Sequence, residues 1–151
     1  MKNVGKVYDS GIVALRDINV DIEKGEFVFV VGPSGAGKTT FTKMIFREEL
    51  PTQGQLVVNG RNVTALKSSE VPYFRRSLGI IFQDYRLLPN RTVYENVAFA
   101  MQVIEAPRRE IQKRVNHVLE LVGLRYRARN FPTELSGGEQ QRVAIARAIV
   151  N

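Results

Sequence analysis

Gly32-Pro33-Ser34-Gly35-Ala36-Gly37-Lys38-Thr39 stands directly after the apolar run Phe27-Val28-Phe29-Val30-Val31 and directly before a helix-forming stretch. It satisfies G-x-x-x-x-G-K-[ST] at every fixed position, and the strand–loop–helix setting separates a phosphate loop from a chance match. Gly32, Gly35 and Gly37 open backbone angles closed to other residues, so amides of the loop can point inward at phosphates. The helix that follows, predicted over about 38–47, aims its positive end at the same place. Lys38 supplies a cation for the β- and γ-phosphates, Thr39 offers its hydroxyl to Mg²⁺, and Thr40 can reach the α-phosphate region. The motif specifies a nucleoside triphosphate but does not separate ATP from GTP.

A second glycine-rich string, Leu135-Ser136-Gly137-Gly138-Glu139-Gln140-Gln141-Arg142, lies near the other end. Ser136 and Glu139 have capping-box spacing ahead of a helix-like stretch over 140–150. Read blandly, this is a well-capped helix. With two glycines that leave the amides unblocked, it is also an anion site.

The second string resembles the signature of the ABC-type ATPases residue for residue. That resemblance implies an α/β fold, a P-loop NTPase with an antiparallel β subdomain and a helical subdomain. It also implies a head-to-tail dimer of two copies around two ATP molecules. Ser136, Gly137, Gly138 and Glu139 would then meet the nucleotide held by the other copy's Gly32–Thr39 loop, with Ser136 and Gly138 on the γ-phosphate. Tyr8 takes the place of the family's adenine-stacking aromatic, which favours ATP; its plain alternative is a turn tyrosine. Gln83 takes the place of the catalytic glutamine that contacts Mg²⁺ and the attacking water, so Thr39 and Gln83 are the metal-facing residues. By the same resemblance, the stretch 84–90 corresponds to the one that usually meets a membrane partner in the family.

Three further stretches, Phe46–Pro51, Val71–Arg76 and Phe82–Ala98, are similar to the bacterial cell-division ATPases of this family. This implies an integral membrane subunit as partner, a peripheral place on the cytoplasmic face of the plasma membrane, and signalling rather than solute transport. The alternatives are a lipoprotein-release or macrolide-efflux transporter of the same family and, more remotely, a basic nucleic-acid-binding module. The sequence stops at Asn151, before the family's acidic Walker B strand, catalytic glutamate and switch histidine. Residues 1–151 are therefore expected to bind Mg-ATP weakly and not to turn it over. The organisation expected is an ATP-binding core over 1–83, a mostly helical part over 84–135, and the signature helix over 136–151.

Composition sets the outer bounds. The 151 residues are 44% hydrophobic and 25% charged, enough apolar material for a core, and no cysteine is present for a disulfide or thiolate metal site. The net charge is +7, spread over Arg75–Arg76, Arg86, Arg91, Arg108–Arg109, Lys113–Arg114, Arg125, Arg127 and Arg129. No aromatic platform interleaves these residues, so they read as a solvated surface rather than a nucleic-acid face.

Along the chain, Val4–Tyr8 reads as a short strand before the Asp9-Ser10-Gly11 turn, and Ile18, Val20 and Ile22 alternate as in a half-buried strand. Phe27–Val31, apolar on both faces, reads as a central parallel strand. Gln55–Val58 closes in Asn59-Gly60, a hairpin signal, and Gly79–Phe82 reads as a short buried strand ending at Gln83. Thr92 and Glu95 form a capping box. Ile111, Val115, Val118, Leu119 and Val122 share one apolar helical face that Gly123 ends, and His117 lies off that face.

Overall fold

Near the N-terminus, Lys2–Val7 (β1) and Val13–Ile18 (β2) pair antiparallel across a turn in which Gly11 N donates to Tyr8 O at 2.8 Å. The computed structural model describes residues 1–151, which form two compact units, Met1–Arg75 and Arg76–Asn151.

In the first unit Gln53–Gln55 (β3) takes the other edge of β1, giving a three-stranded antiparallel sheet in the order β2-β1-β3. Val57–Val58 (β4) and Arg61–Asn62 (β5) form the predicted hairpin. Its corner residues Asn59 and Gly60 sit at φ 48 and 74, the left-handed pair that a tight hairpin turn requires. Lys38–Ile45 (α1) and the short Val71–Arg75 (α2) contribute Met44 and Phe74 to a core with Val4, Leu56 and Val63. Each such aliphatic or aromatic side chain contributes about 2 kcal/mol by leaving water. The end of α1 is pinned by Arg75, whose guanidinium donates to the carbonyls of Phe46 and Arg47, both at 2.9 Å.

Three strand expectations need correction. The alternation at Ile18 and Val20 persists as half-burial, yet β2 ends at Ile18, and its ladder closes in the pair of bonds between Val20 and Met1 at 2.7 and 3.1 Å. Phe27–Val31 joins no ladder, and its outer residues Phe27 and Val31 are 83% and 84% exposed. A strand exists only through its neighbours, and within 1–151 no segment pairs with this run. Phe27 and Phe29 instead meet edge to face, with ring centroids 4.9 Å apart. Gly79–Phe82 likewise joins no ladder and is at most half-buried.

The second unit is helical: Val93–Val103 (α3), Arg108–Leu121 (α4) and Gly137–Ile149 (α5). Thr92 caps α3 as its spacing predicts, with Glu95 Oε2 accepting from Thr92 N at 2.7 Å. On α4 the residues Ile111, Val115, Val118 and Leu119 are buried, Val122 is half-buried and His117 is exposed, as the apolar face requires. Gly123 follows the helix at φ 69. Asn96 is wholly buried and fully bonded, accepting from Leu88 N at 2.7 Å and donating to Leu88 O, Arg91 O and Thr92 O at 2.9–3.1 Å. One side chain thus ties the loop over 88–92 to the first turn of α3. No helix is long and apolar enough to cross a membrane.

Candidate nucleotide-binding site

The phosphate loop belongs to the first unit, and its geometry follows from Gly37. This residue is the N-cap of α1 at φ 85 and ψ 4, and a Cβ there would lie 2.4 Å from Ala14 O. Only glycine satisfies both the left-handed angle and that close approach. No side chain caps α1; its first internal bond is Phe41 N to Gly37 O at 2.8 Å. The opening amides of this helix therefore lack a side-chain acceptor, which is the electrostatic requirement for a bound anion.

Lys38 folds back over the loop, its ammonium donating to Gly32 O at 2.9 Å and Pro33 O at 2.8 Å. No carboxylate compensates it there. Ser34, Gly35, Ala36 and Thr39 are exposed around it. The donor set is one ammonium, backbone N–H groups and the Ser34 and Thr39 hydroxyls, and it fits a polyphosphate.

Tyr8 and Thr40, read from the sequence as two separate contacts, are brought together. Their hydroxyls lie 3.1 Å apart, and Thr40 is buried at 8% exposure. The Lys6 ammonium lies 5.0 Å from the centre of the Tyr8 ring and pairs with Glu49 at 2.8 Å. The ring is thus fixed at its hydroxyl end and carries a cation near its π-system.

Gln83 and the signature belong to the second unit. Gln83 is exposed in a turn with Asp84. The next two residues, Tyr85 and Arg86, both have left-handed φ, 56 and 45. Arg147 of α5 holds their carbonyls, donating at 2.7 Å to each. Gly79 lies against the end of the same helix, for a Cβ there would be 2.3 Å from Ala148 O.

At the signature, Ser136 is the N-cap of α5 and the capping box is complete. Ser136 Oγ accepts from Glu139 N at 3.3 Å, while Ser136 N and Oγ both donate to Glu139 Oε2 at 2.9 Å. The other carboxylate oxygen accepts from Tyr126 Oη at 3.3 Å and from Arg127 Nε at 3.2 Å. The Ser136 bonds, backbone first, and the Arg127 charge lower the Glu139 carboxyl from its ordinary value to about 2. Gly137 and Gly138 have no side chains to cover the helix start.

Thr39 and Gln83 are neutral, and the chain contains no group of three or more His, Cys, Asp or Glu residues that could hold a metal. Sequence reasoning missed Tyr126, Arg127 and Arg147. Their contacts span 12 or more residues and leave no local spacing to read.

These two glycine-rich helix starts define an ABC-type nucleotide-binding fold, and the chain belongs to the ABC transporter family, whose model matches residues 15–151. It is 58% identical over 151 residues to the cell division ATP-binding protein FtsE of Bacillus subtilis (strain 168), and 56% identical to the FtsE of Streptococcus pneumoniae serotype 2. Both alignments take in all of this chain and 66% of the relative, so the chain spans just under two thirds of these relatives' length. Among solved structures it is similar to the ATP-binding cassette MJ0796, a dimer bound to ADP and Pi, with TM-score 0.88 and 38% identity over 99% of this chain and 68% of that one.

Proposed function

We propose that the chain is the ATP-binding part of an ATPase subunit of an FtsE/FtsX-type ABC complex acting in bacterial cell division. ATP-driven closure of two copies, head to tail, would signal to an integral membrane subunit of the FtsX type from the cytoplasmic face of the membrane. The observation that carries the nucleotide reading is the Lys38 ammonium, folded onto Gly32 O and Pro33 O at a helix start that no side chain caps. The cell-division assignment rests on the FtsE relatives at 58% and 56% identity.

In this reading residues 1–83 hold the nucleotide, 84–135 form the helical part and 136–151 present the signature. Bound Mg-ATP supplies the phosphoanhydride whose cleavage resets the dimer. Lys38 would exchange two carbonyls for phosphate oxygens and neutralise their charge, and Thr39 would offer its hydroxyl to the metal. Tyr8 offers its ring to the base, with its hydroxyl steadied by Thr40. Gln83 orients water, and Ser136 and Gly138 of the second copy close over the γ-phosphate. A lipoprotein-release or efflux role is separated from this one by the membrane subunit that co-purifies with the full-length protein.

Calorimetric titration with Mg-ATP tests the site. Lys38→Ala is expected to weaken binding by on the order of 100-fold, since one well-placed charged contact is worth a few kcal/mol. Unchanged affinity would remove the assignment. Residues 1–151 by themselves are expected to bind without turnover, because they supply no carboxylate cluster for metal positioning. Steady phosphate release from them, abolished by Lys38→Ala, would overturn that expectation.

A further inference from the structure

We propose that Arg127 is a positioning residue of the signature: by neutralising Glu139, it allows the start of α5 to receive the polyphosphate carried by a second copy of the chain. The inference rests on the head-to-tail reading given above.

The start of α5 carries a conflict of charge. A capping-box glutamate places a full negative charge in the first helical turn, where it satisfies a free amide and suits the helix dipole. The same turn of α5 is the one that would meet an incoming γ-phosphate, and like charges so close repel strongly once water is excluded. Glu139, held well below the ordinary carboxylate range, carries its charge at neutral pH. A cap that serves the helix therefore opposes the ligand unless something cancels it.

Arg127 meets that need, with its Nε 3.2 Å from Glu139 Oε1 and the Tyr126 hydroxyl at 3.3 Å on the same oxygen. The Glu139 side chain retains only 12% of its exposure, so the ion pair is partly shielded from solvent. Nor is the guanidinium loosely held. Its backbone lies in a 3₁₀ turn, Arg125–Arg127, and the segment that follows is tied to the start of α3 by Tyr94 N to Ala128 O at 2.9 Å and Val93 N to Asn130 O at 2.8 Å.

The other capping glutamates of this unit provide the control. Glu95 closes its box on Thr92 N and Oγ1 at 2.7 and 2.8 Å, and Arg91 acts on it only through space. Glu134 accepts from Phe131 N at 2.6 Å and Asn130 Nδ2 at 3.1 Å. Neither has a bonded guanidinium, so the cap does not need one in order to form. The extra cation occurs at the one box that coincides with a candidate anion contact.

The test is dimerisation of the full-length protein on a non-hydrolysable ATP analogue with Mg²⁺, followed by sedimentation. Arg127→Ala is expected to raise the dimer dissociation constant about tenfold or more, and Arg127→Lys to retain most of the affinity, as befits loss or retention of a charge. Adding Glu139→Gln to Arg127→Ala should restore dimerisation to within about threefold of the parent, because the charge needing cancellation is gone. A role confined to holding the helix would give no such rescue. Parent-like dimerisation of Arg127→Ala, or a double variant no better than the single, would overturn the inference. Should Arg127→Ala unfold by circular dichroism, Arg127→Gln carries the same comparison. If the unsubstituted protein itself fails to dimerise while still binding the analogue, the head-to-tail reading falls, and the inference falls with it.

Discussion

Two helices begin at glycine-rich strings, and they meet the same electrostatic problem in opposite ways. The start of α1 has a left-handed glycine as its N-cap, no side-chain acceptor, and an ammonium resting on two carbonyls. The start of α5 is closed on itself through Ser136 and Glu139, with Tyr126 and Arg127 outside them. The first end leaves its donors to be satisfied by something else. The second keeps its shape without help and can serve as a preformed surface that another molecule meets. On the function proposed above, a nucleotide would bind first at α1, with α5 adding to a complex already formed.

The comparison breaks most sharply at Gly37. Gly37→Ala must adopt φ 85 and place a methyl group 2.4 Å from Ala14 O, so the first unit is expected to lose more than about 3 kcal/mol in urea unfolding. A loss below about 1 kcal/mol would mean that the loop relaxes freely and that its geometry is not fixed by this residue. At α5 the counterpart is milder. Ser136→Ala removes one cap and should lower the stability of the second unit by about 1 kcal/mol, whereas Ser136→Gly should cost only a few tenths. If the glycine variant still loses ATP-driven dimerisation, the hydroxyl serves a ligand as well as the helix.

The smallest effect concerns acid. The Glu139 carboxyl is lowered in the folded protein, so its contribution to stability is complete above the ordinary value of 4.5 and disappears as pH falls towards about 2. Glu139→Gln should flatten that part of the stability curve by lowering stability in the neutral region, with parent and variant converging as pH falls towards about 2. Equal acid sensitivity of parent and variant in thermal melts between these pH values would show that the box is not closed in solution.

The parts of this arrangement that sequence reading could reach are those written in short spacing. The phosphate loop, the boxes at Thr92–Glu95 and Ser136–Glu139, the Asn59-Gly60 corner and the buried face of α4 all follow from residues three or four apart or from turn chemistry. Phe27–Val31 shows the limit, because its apolarity records a preference for neighbours but not whether they are present. Gly79 is similar: its reason is the backbone of Ala148, visible only after folding. The partners of Glu139 come from a turn 12 and 13 residues upstream, with no periodic signal to announce them.

Asn96 has a consequence for how such chains diverge. Its amide group uses donor and acceptor capacity together on the loop over 88–92, while its body is wholly enclosed. Aspartate matches the shape without the donors, leucine has neither, and glutamine is a methylene too long. Drift at this position should thus be strongly penalised, and a lineage that abandons the asparagine is expected to have rebuilt the loop beside it.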